Sequence, residues 1–151
     1  MTIALLSLLV ACGPVELLDL DGDTEAQLHV QAIVAACREA ACGDRPVLLS
    51  RDTSQQLRQA LAAFLPNEVR YFDELFAEAL LGLDGLYLEG ATAVVLSAPY
   101  ELGESAVAVD VDTHRGPLHG LGKTYLFLWD GVTWTETTAD EIGVTLTTSV
   151  S

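Results

Sequence analysis

Ala106-Val107-Ala108-Val109-Asp110-Val111-Asp112-Thr113 is the stretch that decides the fold. Val107, Val109 and Val111 fall on one side of an extended chain; Ala108, Asp110 and Asp112 fall on the other. Successive side chains of a strand point to opposite faces, so this alternation predicts a β-strand with one buried side. The same period returns downstream. Tyr125, Phe127 and Trp129 share a face opposite Leu126 and Leu128, and Val144, Leu146, Thr148 and Val150 alternate again. Upstream, residues 91–98 are an apolar strand. Turn residues punctuate the region at Asp84-Gly85, Glu89-Gly90 and Asp130-Gly131. From residue 84 onward the chain therefore predicts an antiparallel meander of about four or five strands. Tyr125, Phe127, Trp129 and Trp134 are assigned to the core side of that sheet rather than to a ligand groove.

Before residue 84 the period is helical. Val30, Ile33, Val34, Cys37 and Ala41 recur at three-to-four spacing, which predicts an amphipathic helix from Thr24 to the stop at Gly43. Thr24 with Gln27 has the form of a capping box, and Glu25 suits the positive end of the helix. Val47-Leu48-Leu49 predicts a short buried strand. Asp52-Thr53-Ser54 offers caps for a second helix with Leu57, Leu61, Phe64 and Leu65 on its core face, ended by Pro66. Residues 68–72 form a further short strand, and Leu75, Phe76, Ala79 and Leu80 a brief third helix. The expected fold class is α+β, with N-terminal helices packed on one face of a C-terminal antiparallel β-meander. Residues 24–151 form one α+β domain, a length able to bury a core.

The acidic balance limits the partners. Twenty-two Asp and Glu stand against seven Lys and Arg, a net charge of −15. Phosphate binding needs clustered cations, so nucleic acid is not an expected partner. Acidity of this kind suits solubility, cation attraction, a basic protein partner or a salty habitat.

The apolar run Ile3 to Ala11 ends in Leu9-Val10-Ala11-Cys12 and is followed by Gly13-Pro14. It has the length of a signal-peptide core and falls short of the about 20 residues that span a bilayer. The tetrapeptide resembles the lipobox of bacterial lipoproteins. That resemblance implies that residues 1–11 are a cleaved signal peptide and that Cys12 carries a diacylglyceryl group. Residues 12–23 would then be a tether, and the protein would sit outside the cytoplasm, anchored to the membrane by lipid. The alternatives are a secreted or periplasmic soluble protein, and a cytoplasmic domain in which Cys12 is a small hydrophobe. A second resemblance lies at the other end. Arg115-Gly116-Pro117-Leu118-His119-Gly120-Leu121-Gly122-Lys123-Thr124-Tyr125, then Asp130-Gly131-Val132-Thr133-Trp134 and Ser149-Val150-Ser151, resemble the C-terminal part of small exported bacterial proteins of unassigned function. This covers about a third of the chain and implies export and fold, with no activity attached. Cysteines often flank the Gly-rich turn in that group; Arg115 and His119 stand there instead.

Three cysteines are an odd count for an exported protein. With Cys12 lipidated, Cys37 and Cys42 remain. Positions five apart in a regular helix diverge by about 140°, so a disulfide requires Cys42 to lie past the last turn. Otherwise both are small apolar residues facing a core.

Asp110, Asp112 and His114 share a strand face, with His119 in the next turn. Two carboxylates and two imidazoles are ligands suited to a divalent metal such as zinc or manganese. Alternate strand residues stand roughly 6.6–7 Å apart, wide for one ion unless the strand bends at Arg115-Gly116-Pro117. The expectation is no cofactor, with this metal set as the alternative. Asp19, Asp21 and Asp23 open like a calcium loop, but Thr24 and Val30 occupy the positions that require Gly and Glu. His29 and Cys37 are about 12 Å apart along one helix, too far for a thiol–imidazole pair. No nucleophile elbow, P-loop, dinucleotide fingerprint or His-Glu-x-x-His occurs. The sequence thus favours an exported binding or accessory domain over an enzyme. Its rivals are a metal-binding protein or hydrolase using Asp110, Asp112, His114 and His119, and an acidic inhibitor or immunity-type protein for a basic partner.

Overall fold

The computed structural model describes residues 20–39, 42–72, 90–103, 105–115 and 120–145. In order these form α1 (Gly22–Glu39), β1 (Val47–Ser50), α2 (Gln55–Phe64), β2 (Val69–Phe72), β3 (Thr92–Leu96), β4 (Tyr100–Gly103), β5 (Ala106–His114), β6 (Gly120–Trp129), β7 (Trp134–Thr137) and the short α3 (Ala139–Ile142). The fold class is α+β. Cys12, the expected helix at 75–80, the Asp84-Gly85 turn, His119 and the strand expected beyond Val144 lie outside the described residues.

The sheet is larger than a meander. Its seven strands run in the order β2-β1-β3-β5-β6-β7, and β4 pairs with β5. β3, β5, β6 and β7 are antiparallel neighbours, but β1 lies parallel to both β2 and β3. The chain leaves β1 through α2 and returns as β2, the helix-bridged connection that a parallel pair requires. β3, β5, β6 and β7 are the expected antiparallel strands of the second half, and the crossover adds the short strands β1 and β2 to the same sheet in parallel. Val47-Leu48-Leu49 is buried on both faces, as an inner parallel strand must be.

β5 is the centre of the sheet. Val107, Val109 and Val111 are buried and share a core with Tyr125 and Phe127, which the register sets opposite Val109 and Val107. The same core takes Val47, Leu49 and Val94 from neighbouring strands and Leu28, Ile33, Leu57 and Leu61 from α1 and α2. The opposite face of the sheet carries Leu48, Ala93, Ala108 and Leu126, also buried. Beyond Leu96 the chain breaks at 97–99 and resumes as β4 along the same edge of β5. The aromatic stripe divides. Phe127 and Tyr125 are core, whereas Trp129 is 39% exposed and stacks at 5.3 Å on half-buried Trp134 across the β6–β7 pair.

Local chemistry explains the ends. Asp21, not Thr24, caps α1: its carboxylate accepts the backbone N–H of Asp23 at 3.1 Å and of Thr24 at 2.9 Å, and the Thr24 hydroxyl at 2.7 Å. The expected Thr24–Gln27 box therefore lies inside the helix, because an earlier carboxylate reaches the free N–H groups first. These bonds hold the Asp21 carboxyl below its usual range. Ser54 caps α2, accepting Leu57 N–H at 3.2 Å. Leu57, Leu61 and Leu65 of the expected core face of α2 are buried, but Phe64, the last helical residue, is 71% exposed. Gly131 turns the β6–β7 hairpin at φ 98, a conformation that a β-carbon opposes. Asp130 braces the turn by accepting Val132 and Thr133 N–H, both at 2.8 Å.

Three side-chain pairs tie the end of α1 to the sheet. Lys123 Nζ reaches both Glu39 oxygens at 2.7 Å, and the Tyr125 hydroxyl donates to Glu39 at 3.0 Å. Burial opposes the Glu39 charge, yet these bonds keep its carboxyl below the usual range. Arg38 pairs with Glu136 of β7 at 3.3 Å.

Candidate binding site

A cleft of about 420 Å³ opens where α1, β1, α2 and β3 meet. Its position follows from the topology. β1 lies between β2 and β3, all three parallel, and the chain turns away from β1 into α2 on the β2 side. Leu49 and Ser50 end β1 and Val94, Val95 and Leu96 end β3, so the cleft sits at the carboxyl ends of two parallel strands. In open sheets with parallel strands, that switch in direction is where a crevice forms.

The lining divides into an apolar floor and a polar rim. Leu49, Leu57, Val94 and Leu96 supply the floor; Glu25, His29, Ser50, Asp52, Thr53 and Ser54 supply the rim. Glu25 and His29 come from successive turns of α1, four residues apart and so on one face. His29 Nε2 lies 2.9 Å from the Ser97 carbonyl, and Nδ1 lies 4.0 Å from Glu25 Oε1. A carbonyl only accepts, so Nε2 carries the proton. Nδ1 then faces the Glu25 carboxylate, and a proton there makes the two an ion pair.

The rim loop is held from below by Arg58. Its Nε donates to the Thr53 carbonyl at 3.0 Å, its Nη2 donates to the Arg51 carbonyl, and the guanidinium lies 3.9 Å over the Tyr71 ring. Ser50 closes the other side: its carbonyl accepts the Thr53 hydroxyl at 2.6 Å, and its hydroxyl accepts Asp52 N–H at 3.2 Å. Replacing Ser54 with alanine removes the α2 cap beside this loop. It is expected to lower stability by about 1 kcal/mol, read as a shift in the urea unfolding midpoint.

Among the described residues no hydroxyl or thiol hydrogen-bonds an imidazole, because the His29 Nε2 proton is given to a backbone carbonyl. What the cleft offers is two carboxylates, hydroxyl groups and an imidazole above an apolar floor.

Of the four residues expected as the alternative metal set, three lie among the described residues. Asp110, Asp112 and His114 alternate along β5 on the face away from Val109 and Val111. Asp110 is already engaged: Tyr100 and Thr124 hydroxyls donate to it at 2.9 and 2.6 Å, and its N–H donates to the Ser97 hydroxyl at 2.9 Å. It braces the break between β3 and β4. Among the described residues no three His, Cys, Asp or Glu side chains gather closely enough for one ion. Straight-strand spacing keeps Asp112 and His114 apart. Cys37 and Cys42 are buried free thiols. Among the described residues no helix is long and apolar enough to cross a membrane.

A second groove of about 430 Å³ runs between α1 and α2, lined by Val30, Val34, Ala35, Ala60 and Phe64 with the Arg38–Glu136 pair at one side. Its floor is apolar, and Gln27 and Gln31 of α1 join that pair on its polar side.

Sequence reasoning saw the cleft residues only as local structure. Asp52-Thr53-Ser54 read as helix caps and Glu25 as a dipole partner, both correct roles that hide a shared one. The available signal was the short strand, polar loop and helix at residues 47–57, the unit that builds parallel-sheet crevices. No family model, no curated protein and no solved structure matches this chain.

Proposed function

We propose that this chain is an exported, lipid-anchored acidic binding protein of a bacterial envelope, and that it takes small organic cations in the Glu25–His29–Asp52 cleft. One observation carries the binding part: two carboxylates and a row of hydroxyls rim an apolar floor in a cleft of about 420 Å³. A primary or secondary amine with a short apolar body matches that division. Its ammonium group meets the carboxylates and its carbon chain covers Leu49, Leu57 and Val94. The net charge of −15 adds attraction at longer range. The envelope location rests on the lipobox at Leu9-Val10-Ala11-Cys12.

Calorimetric titration with a panel of alkylamines and polyamines tests the cleft. Saturable binding is expected, weakened at least tenfold in the Glu25→Gln/Asp52→Asn double variant, about 1.4 kcal/mol of lost affinity. Salt should weaken it as well. Equal affinity in the double variant would place any amine binding elsewhere on the acidic surface. Capture of a basic protein without amine binding would favour the inhibitor reading instead.

A further inference from the structure

We propose that Cys37 and Cys42 are a disulfide-forming pair that clasps the end of α1 to the segment leading into β1. The inference is independent of the ligand reading, since the pair lies outside the cleft.

The backbone brings the two residues together. Cys42 N–H donates to the Cys37 carbonyl at 2.8 Å. A bond from the sixth residue back to the first is the closing bond of a helix-ending turn. It folds Cys42 back over α1, where a continued helix would point the two side chains apart. Gly43 follows at φ 56, so the chain is already turning away. Cys37 is 8% exposed and Cys42 is 1% exposed, both in the main core.

The surroundings of Cys42 favour its reactive form. Among the described residues two buried side-chain polar atoms, Thr92 Oγ1 and Arg115 Nη2, have no nitrogen or oxygen partner. Thr92 is fully buried, and both residues act on Cys42. A donor left without an acceptor beside a thiol gains one when that thiol ionises. Hydrogen bonding from Cys37 lowers the Cys42 thiol to about 7 against the cost of burial, with Thr92 and the Arg115 charge assisting. The same contact and burial push Cys37 far up. One thiolate beside one protonated thiol is the arrangement in which a disulfide closes fastest near neutral pH.

The oxidant is a disulfide, small or carried by a protein. Cys42 thiolate attacks one of its sulfurs and expels the other half as a thiolate. Cys37 then attacks the Cys42 sulfur of the mixed disulfide, loses its proton to the departing group and releases the second half as a thiol. The oxidant takes two electrons and leaves as one thiolate and one thiol, and one Cys37–Cys42 bond remains. Burial confines the exchange to states in which the end of α1 is open, such as those met during folding.

The test uses the full chain carrying Cys12→Ser, so that no third thiol competes. After equilibration with oxidised glutathione, the protein is alkylated in denaturant, weighed and peptide-mapped. Expected are the loss of two hydrogens, a Cys37–Cys42 cross-linked peptide and a Tm about 5 °C above the reduced form. Full alkylation of both thiols, or glutathione adducts without the cross-link, would overturn the proposal. Arg115→Gln should slow closure about fivefold at neutral pH, with Arg115→Lys restoring it. An unchanged rate in Arg115→Gln would remove Arg115 from the mechanism.

Discussion

Phe127→Ala is expected to destabilise the protein by about 3–5 kcal/mol, the range for truncating a large buried aromatic. Phe127 is fully buried on the longest strand, and the register sets it between Val107 of β5 and Glu136 of β7. It belongs to the core that joins α1, α2 and the sheet, so the void left behind has rigid walls on several sides. Since a domain of this kind is typically stable by about 5–15 kcal/mol, the loss brings it close to unfolding at ambient temperature. Trp129→Ala is the control. Trp129 lies two residues on and faces the same way, but it is 39% exposed. Its truncation should cost markedly less. Urea unfolding of the three proteins checks the contrast: equal losses at 127 and 129 would mean that the core does not end where the register places its edge.

Cys12→Ser is expected to move the protein from the membrane fraction to the soluble fraction of its native host. Only a thiol forms the thioether of a diacylglyceryl anchor, so serine removes every acyl chain at once. Each buried CH₂ contributes about 0.8 kcal/mol, and one short acyl chain alone binds only marginally, so residence depends on having more than one. Intact mass gives the sharper measurement. The wild-type chain should begin at Cys12 and carry lipid mass, while the variant should lack it. A wild-type mass equal to unmodified Met1–Ser151 would sink the lipoprotein reading, and with it the envelope location. The amine cleft and the Cys37–Cys42 clasp would stand or fall separately.

Much of the fold is legible where one period dominates. The valines of 107–111 repeat every second residue and face one core in the structure. Leu57 and Leu61 lie four apart and are buried together. Errors arose where a local cue had a competitor. Thr24 has the form of a cap, but Asp21 has a stronger acceptor and stands nearer the free N–H groups. Phe64 continues the apolar row of α2, but the helix ends there and among the described residues its side chain is left 71% exposed.

The candidate site was hidden for a different reason. Glu25 and His29 share one face of α1, but Asp52 and Ser54 lie on a different segment and no motif spacing links the two pairs. Asp110, Asp112 and His114 have a pattern, but pattern places residues on a face without bringing their side chains to a point.

Composition and period by themselves determined the acidic character, the α+β class and the identities of α1, α2, β1, β2, β3, β5 and β6, because each depends on neighbours within a few residues. The tertiary structure alone decided that β1 joins β2 and β3 in parallel, that a cleft opens at their ends and that Cys42 folds back onto Cys37. Those features depend on which distant segments pair. Pairing is set by burial of the whole apolar surface at once, a quantity that no single stretch of sequence contains.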